Sequence, residues 1–210
     1  MPAPREIIVV NDGSGDSTRS VLDRLEGTSP ALMVVHADRN RGKGAAVRLG
    51  LARSRGTVTM IQDADLELDP VQLGDLVGPI LRGEADVVYG SRFLVGSSGV
   101  PPMTRIANRV LTGLTNVLYG SSLTDMETCY KIMRGDIARC LTLTADRFDI
   151  EPEITAELLR RRYQIVERPV VFRPRSRAAG KKIRWRDGVH AVRTLVRHRL
   201  RKTPTDVLAQ

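Results

Sequence analysis

The stretch TVTMIQDADLE, residues 57–67, decides how the rest of the chain is read. Its first five residues form an apolar, partly β-branched run with the character of a short strand. The run ends in Asp63-Ala64-Asp65, and Glu67 follows two residues on. Carboxylates so closely spaced are hard oxygen donors, suited to Mg²⁺ or Mn²⁺, ions that keep open positions for substrate phosphates. Open α/β sheets bind ligands at the carboxyl ends of their strands, which is where this acidic group falls. An acidic turn ahead of a helix opening at Pro70 is the competing reading of the same residues.

Outward from that point the chain alternates. Residues 5–10 (REIIVV) read as a strand running into the turn Asn11-Asp12-Gly13-Ser14. Residues 16–26 have helical spacing with Asp16 or Ser17 as N-cap, and 32–36 form a second strand. A helix over 43–54 turns Ala46, Val47, Gly50 and Leu51 inward, 57–62 is the third strand, 70–81 a helix with proline in its first turn, and 86–89 the fourth strand. Strand and helix in alternation argue for an α/β sheet with largely parallel strands. Beyond Gly90 the rhythm changes. A Gly/Ser/Pro loop (97–102), a helix (104–119) and an irregular segment (123–131) are followed by a helix over 151–162 and a strand over 164–172. Pro169 interrupts that last strand and places it at a sheet edge. A basic loop follows over 173–182, and the sequence carries no internal repeat.

At 210 residues, 41% hydrophobic and 27% charged, the chain fits one soluble domain with a real core. Its formal charge of +9 is unevenly placed: residues 168–210 carry 13 Lys and Arg against only Asp187 and Asp206. Cys129 and Cys140 form no metal-ligand spacing, so a reduced, cytoplasmic setting is expected. No apolar run reaches the length of a membrane span, and the first residues show no leader pattern. Within 186–202, Val189, Val192, Val196 and Leu200 form one helical stripe flanked by Arg186, His190, Arg193, Arg197 and Arg201. A helix of that kind can lie on an anionic membrane surface, or pack its stripe on the domain. Aromatic residues make up 4% of the chain and do not interleave with the basic cluster, which argues against nucleic-acid binding.

Seven short segments then agree in order: Val10-Asn11-Asp12-Gly13-Ser14; Asn40-Arg41-Gly42-Lys43-Gly44; Asp63-Ala64-Asp65; Gly90-Ser91-Arg92; Thr124-Asp125-Met126-Glu127-Thr128-Cys129-Tyr130-Lys131; Arg147-Phe148 with Glu151 and Glu153; and Gly180-Lys181-Lys182. Together they resemble the family 2 glycosyltransferases, in the branch of dolichyl- or polyprenyl-phosphate mannosyltransferases, over about residues 5–199. The resemblance implies a GT-A fold over residues 1–184, an α/β/α sandwich with a mixed, mostly parallel central sheet, followed by a basic amphipathic helix and tail over 185–210. It implies metal-dependent, inverting transfer of a hexose, mannose favoured, from a nucleoside diphosphate sugar (GDP-mannose or UDP-glucose) to a polyprenyl phosphate. The implied cofactor is Mg²⁺ or Mn²⁺, and the implied place is the inner face of an anionic membrane surface.

Position by position, the resemblance sets Asp12, with Val10 beside it, at the donor's nucleoside. Asp63, Asp65 and Glu67 match the metal group, with Asp65 also catalytic. Arg92 and Lys131 match the basic residues at the diphosphate and the acceptor phosphate. Arg173 and Lys182 match a loop that closes over the site, and Arg105 faces acceptor phosphate. Lys43 stands where a turn opens a helix whose N-terminus can face phosphate, although the turn is not a P-loop. Asp125 reads as a site residue by its neighbours Thr128 and Lys131, or as a turn carboxylate. Glu151 and Glu153 lie in the first turn of a helix, where the dipole favours acids in any case. His36 and His190 read as structural or surface residues, and Cys129 as a small buried one.

This chemistry needs no dedicated base. A phosphate monoester, with its second pKa near 6, is mostly dianionic at neutral pH and arrives as a nucleophile already deprotonated. Three other readings remain: a nucleotidyltransferase, disfavoured by the T-D-M-E-T-C-Y-K segment and basic tail; a non-catalytic relative; and a glycosyltransferase using UDP-glucose and another acceptor. The second arises because family members begin with a further strand and helix, whereas this chain enters directly at residues 5–10. The resemblance therefore implies that a central strand is missing, with weak donor binding and marginal stability expected for these 210 residues.

Overall fold

The computed structural model describes residues 6–94, 99–174 and 185–201. Strand β1 (Ile7–Asn11) pairs in parallel with β2 (Leu32–His36), Ile7 opposite Leu32 and Asn11 opposite His36. A second sheet has the order β3 (Val58–Met60), β5 (Lys131–Arg134), β4 (Val87–Ser91), β6 (Ile165–Pro169). β6 runs parallel to β4, while β5 runs antiparallel to both β3 and β4. It follows that β3, β4 and β6 point the same way and β5 alone is reversed, the mixed, mostly parallel arrangement expected. Among the described residues the two sheets are separate ladders: β1 pairs only with β2, and β3 only with β5. Pro169 closes β6 at the sheet edge, where its missing N–H interrupts no ladder.

Helix α1 (Thr18–Glu26) packs on β2, and α2 (Lys43–Leu51) on β1. A single 3₁₀ turn, Pro70–Gln72, leads into α3 (Leu73–Leu81); Asp69 caps it by accepting the Val71 N–H at 3.0 Å. α3 lays Leu76 and Ile80 against β4, every residue of which is buried. Ile150, Ile154 and Leu158 of α6 (Ile150–Arg160) belong to the same core as Val87, Val88, Tyr89, Ile132 and Met133. α4 (Pro102–Tyr119), α6 and α7 (Trp185–Leu200) pack on one another around Met126, Ala156 and Leu195.

Two elements escaped the sequence. β5 lay inside and just beyond a stretch read as irregular, because a strand that begins with a fully buried lysine breaks the apolar pattern. The short α5 (Gly135–Cys140) follows it directly. α7 is a helix as expected, but it does not bury the expected stripe. Ala191, Thr194, Leu195 and His198 face inward, whereas Val189, Val192, Val196 and Leu200 are exposed. The reason is polar: His198 is fully buried between two carboxylates of α6, Glu157 Oε1 at 3.0 Å and Glu153 Oε1 at 3.2 Å. That contact fixes the helix's rotation.

Candidate active site

β3 and β4 end at one edge of the sheet, and the reversed β5 begins there, so Asp63, Arg92 and Lys131 are brought together by strand direction. Arg92, just past β4, binds Asp125 through two parallel contacts, Nε to Oδ2 and Nη2 to Oδ1, each 2.7 Å. The Arg92 backbone N–H adds a third at 3.0 Å. The rings of Phe93 and Phe172 flank the guanidinium at 5.6 and 5.4 Å. Burial works against the charge of Arg92, but Asp125 more than offsets it and its pKa is raised. The loop that carries Asp125 is itself held: Glu167 of β6 accepts from Thr124 N–H (2.8 Å), the Thr124 hydroxyl (2.9 Å) and Asp125 N–H (3.0 Å).

Lys131 is fully buried. Its ammonium donates to the carbonyls of Met126 (3.0 Å) and Thr128, pairs with Glu151 Oε2, and lies 4.8 Å from the centre of the Tyr89 ring. The other oxygen of Glu151, Oε1, is 2.7 Å from Lys43 Nζ, which stands 2.7 Å from Asp63 Oδ2. Asp63, Lys43, Glu151 and Lys131 thus form one chain of alternating charge from the acidic loop into the protein. Burial would lower the pKa of Lys43, yet Glu151 and Asp63 hold it well above the ordinary lysine range. Burial would likewise raise Glu151, and Lys131 and Lys43 pull it below the usual carboxylate range. Glu151 thus does more than favour a helix start: its two oxygens join Lys43 to Lys131.

Lys43 is placed by its turn. Gly42 has φ +109°, and a Cβ there would lie 2.6 Å from the Asp146 carbonyl oxygen, so only glycine fits. Asp12 shapes the same turn, accepting from Arg41 N–H at 2.9 Å and Gly42 N–H at 2.7 Å. Its carboxylate is thus committed to backbone beside the proposed nucleoside position. Val10 packs toward α2, with Cγ2 3.5 Å from where a Cβ on Gly50 would stand.

In the acidic segment Asp63, Asp65 and Glu67 are half-buried, while Gln62, Ala64 and Leu66 are exposed. Asp65 Oδ1 accepts the Glu67 N–H at 3.1 Å, and Leu66 takes a left-handed φ of +62°. The Asp63 N–H donates to Cys129 Sγ at 3.1 Å, which gives that buried thiol a structural part. Among the described residues no three His, Cys, Asp or Glu side chains gather into a metal-holding group. The three-carboxylate site expected from Asp63, Asp65 and Glu67 is not preformed. The donors do fit a divalent ion held as Mg²⁺ usually is, by one or two carboxylates with substrate phosphates completing the shell.

The remaining expected residues are spread more widely. Arg173 reaches the acidic loop, its N–H donating to the Glu67 carbonyl at 2.8 Å and its Nη1 lying 3.9 Å from Asp69 Oδ2. Arg105 is exposed on α4 and donates to the Val100 carbonyl at 3.3 Å. Lys182 lies outside the described residues. Glu153 is not at the site: it accepts from Thr144 and Ala145 and faces His198. Sequence reasoning did not single out Glu167, which has no motif of its own, or Glu127, which stands inside the T-D-M-E-T-C-Y-K segment. Glu127 Oε1 is shut off from solvent and has no hydrogen-bond partner among the described residues. Burial, reinforced by Glu151, pushes its pKa up to about 7, and Lys131 and Arg92 offset only part of that rise.

An α/β sheet with a mixed strand order, a carboxylate pair at its carboxyl edge and a row of buried cations beside it defines a GT-A-type domain. In agreement, glucosyl-3-phosphoglycerate synthase from Mycobacterium tuberculosis, solved with Mn²⁺, uridine diphosphate and phosphoglyceric acid, superposes with a TM-score of 0.68. The match covers 96% of this chain and 69% of that one at 18% identity. The chain belongs to glycosyl transferase family 2, whose profile it matches over residues 2–142. It is 28% identical over 178 residues to Glycosyltransferase AglD of Haloferax volcanii, covering 81% of this chain and 28% of that protein. It is 28% identical over 175 residues to the undecaprenyl-phosphate mannosyltransferase of Micrococcus luteus, covering 80% and 71%. The chain spans 28–52% of the length of the first curated relatives it matches.

Proposed function

We propose that this domain transfers a hexose from a nucleoside diphosphate sugar to a polyprenyl phosphate, with inversion at the anomeric carbon. The observation that carries the reading is the row Lys43, Lys131 and Arg92, one fully and two largely buried cations at the carboxyl edge of the sheet beside the Asp63–Asp65 pair. Both the leaving diphosphate and the attacking phosphate are anions, and the reaction must hold them close together. Charge held in place by Glu151 and Asp125 needs no rearrangement as the glycosidic bond breaks. Asp63 and Asp65 are the residues to hold a divalent ion, Mg²⁺ or Mn²⁺, which when bound neutralises charge on the leaving diphosphate. The acceptor phosphate attacks the anomeric carbon, the C–O bond to the diphosphate breaks, and no proton need be removed from the nucleophile near neutral pH. Arg92 suits the two phosphates by its planar fork, while Lys131 supplies a compact charge behind it.

The relatives that carry named acceptors act on dolichyl or undecaprenyl phosphate, which supports a polyprenyl phosphate here. No helix among the described residues is long and apolar enough to cross a membrane, so access to such a lipid is read as peripheral, on an anionic inner membrane face. The test is incubation with a short polyprenyl phosphate, divalent ion and either GDP-mannose or UDP-glucose, with product followed by mass spectrometry. A glycosylated lipid phosphate from one donor bears out the reading. Absence of that product from both donors, with a folded protein, overturns it.

A further inference from the structure

Helix α4 carries an apolar row on its outer face. Met103, Ile106, Val110, Gly113 and Val117 recur at alternating spacings of three and four, one face of a helix. The four side chains of that face are 73%, 57%, 63% and 84% exposed. Its fully buried side chains are polar: Asn108 donates to the Thr124 carbonyl at 3.4 Å, the Thr112 hydroxyl accepts the Met126 N–H at 3.1 Å, and Thr115 donates to the Leu111 carbonyl at 2.9 Å, while Leu111, Leu114 and Leu118 pack half-buried between the two faces. The polar face thus grips the loop that carries Asp125, and the apolar face is left outward. A soluble helix normally does the reverse, and an outward apolar row of this length marks an interaction surface.

The row does not end with α4. α7 lies against α4, where Arg199 Nε donates to the Leu118 carbonyl at 2.8 Å and the Tyr119 hydroxyl to the Leu195 carbonyl at 2.7 Å. At about 100° per residue, Val192 and Val196 follow Arg199 closely around α7, on the edge toward α4. Val110 and Met103 border the edge of α4 where Leu114 and Leu118 meet the α4–α7 cluster. The exposed valines of α7 therefore continue the row of α4.

We propose that this joint α4–α7 face docks on an anionic lipid surface, with α4 supplying the apolar row that enters the headgroup boundary. This rests on the reading that the acceptor is a membrane lipid. Charge selects the occupant. α4 carries exposed Arg109 beside the row and no acidic residue, and exposed Arg193 stands on α7. Two copies meeting through α4 would set arginine against arginine, whereas anionic headgroups complement them. Arg197, by contrast, is turned to the Thr144 hydroxyl at 3.0 Å and serves the protein side. Docking by this face sets the Asp125 loop, on the inner side of α4, directly behind the lipid contact.

The test uses the 210-residue chain and vesicles of phosphatidylcholine mixed with phosphatidylglycerol. Changing Met103, Ile106, Val110 and Val117 together to Ser removes the row without touching a buried side chain, and circular dichroism with thermal melting checks the fold. The expected result is a loss of vesicle partitioning of about tenfold or more, with unchanged transfer to a short water-soluble acceptor phosphate. In a second variant, Val110→Trp, brominated lipid should quench fluorescence more than in the parent chain, whose one tryptophan is Trp185. The proposal is overturned if the serine variant partitions as before, if the added tryptophan escapes quenching while the protein is vesicle-bound, or if the serine changes abolish a lipid-free dimer and leave partitioning intact. Partitioning that follows the row in a protein that transfers to no polyprenyl phosphate supports the surface and refutes the acceptor.

Discussion

The ammonium of Lys43 lies 2.7 Å from Glu151 Oε1, joining the first turn of α2 to the first turn of α6 across the end of the sheet. Glu151 holds Lys131 with its other oxygen, so a single carboxylate balances two largely buried cations. Removing it leaves the Lys131 ammonium without its paired carboxylate. Glu151→Ala is expected to destabilise the fold by roughly 3–5 kcal/mol, the usual loss when a buried ion pair is broken from one side. The double change Glu151→Met with Lys131→Met should cost clearly less than the sum of the single changes. Urea unfolding of the four proteins checks this; strictly additive effects would show that the pair is not coupled.

The acidic segment makes a separate claim. Asp65→Ala should abolish transfer and Asp63→Ala damage it severely, with melting behaviour kept, because Asp65 is half-buried in a loop and Asp63 shares Lys43 with Glu151. Mn²⁺ binding, followed by electron paramagnetic resonance in the presence of a nucleoside diphosphate, should weaken in both variants. Full transfer in excess chelator would remove the metal from the account.

Glu127 gives the site a pH dependence. It faces Arg92 beyond β4, Lys131 on β5, Glu151 on α6 and Asp125 on its own loop, and its pKa is pushed up to about 7. Below that pH the carboxyl is neutral and the cations act undiminished; above it a new negative charge opposes the incoming phosphates. KM for the acceptor should therefore rise as pH increases through about 7, beyond any change due to the acceptor's own ionisation. Glu127→Gln should erase that step while leaving the low-pH KM close to the parent value. A pH profile identical in the two proteins would contradict this.

His198 provides a test of stability instead. Burial opposes its charge, but Glu153 and Glu157 raise its pKa above the ordinary value of 6.5. Its contribution is full below about 6.5 and is lost as pH rises through the raised folded value. Burial would raise Glu153, yet His198 and the donors at residues 144 and 145 bring it down to about 2. That contribution is present above about 4.5 and is lost as pH falls toward 2. The clasp between α6 and α7 is thus strongest between about pH 4.5 and 6.5. His198→Gln should lower stability by about 1–3 kcal/mol in that window, with the gap to the parent narrowing as pH rises. Thermal melting across pH measures it.

The alternation of strand and helix through residue 91 was legible because β1 to β4 are short apolar runs bounded by turns, and α2 and α3 have clear starts. β5 was not, since Lys131 at its head is paid for by Glu151, a partner twenty residues away that no local pattern shows. The same long-range pairing separates Glu151 from Glu153: both sit in the first turn of α6, and only the fold turns one to Lys43 and the other to His198. The rotation of α7 was hidden for a related reason, because the helical spacing of Val189, Val192 and Val196 is outweighed by one buried histidine. Motifs alone mark Asp63, Arg92 and Lys131 as candidates; Glu127 was inside a quoted motif, and only burial distinguishes it.

The most direct test of the central claim is kcat/KM for a short polyprenyl phosphate in Arg92→Gln and Lys131→Gln, measured beside the parent chain with folding verified for each. The account predicts a fall of about 10²–10³, or roughly 3–4 kcal/mol of transition-state stabilisation. Unchanged kcat/KM in both folded variants would contradict it.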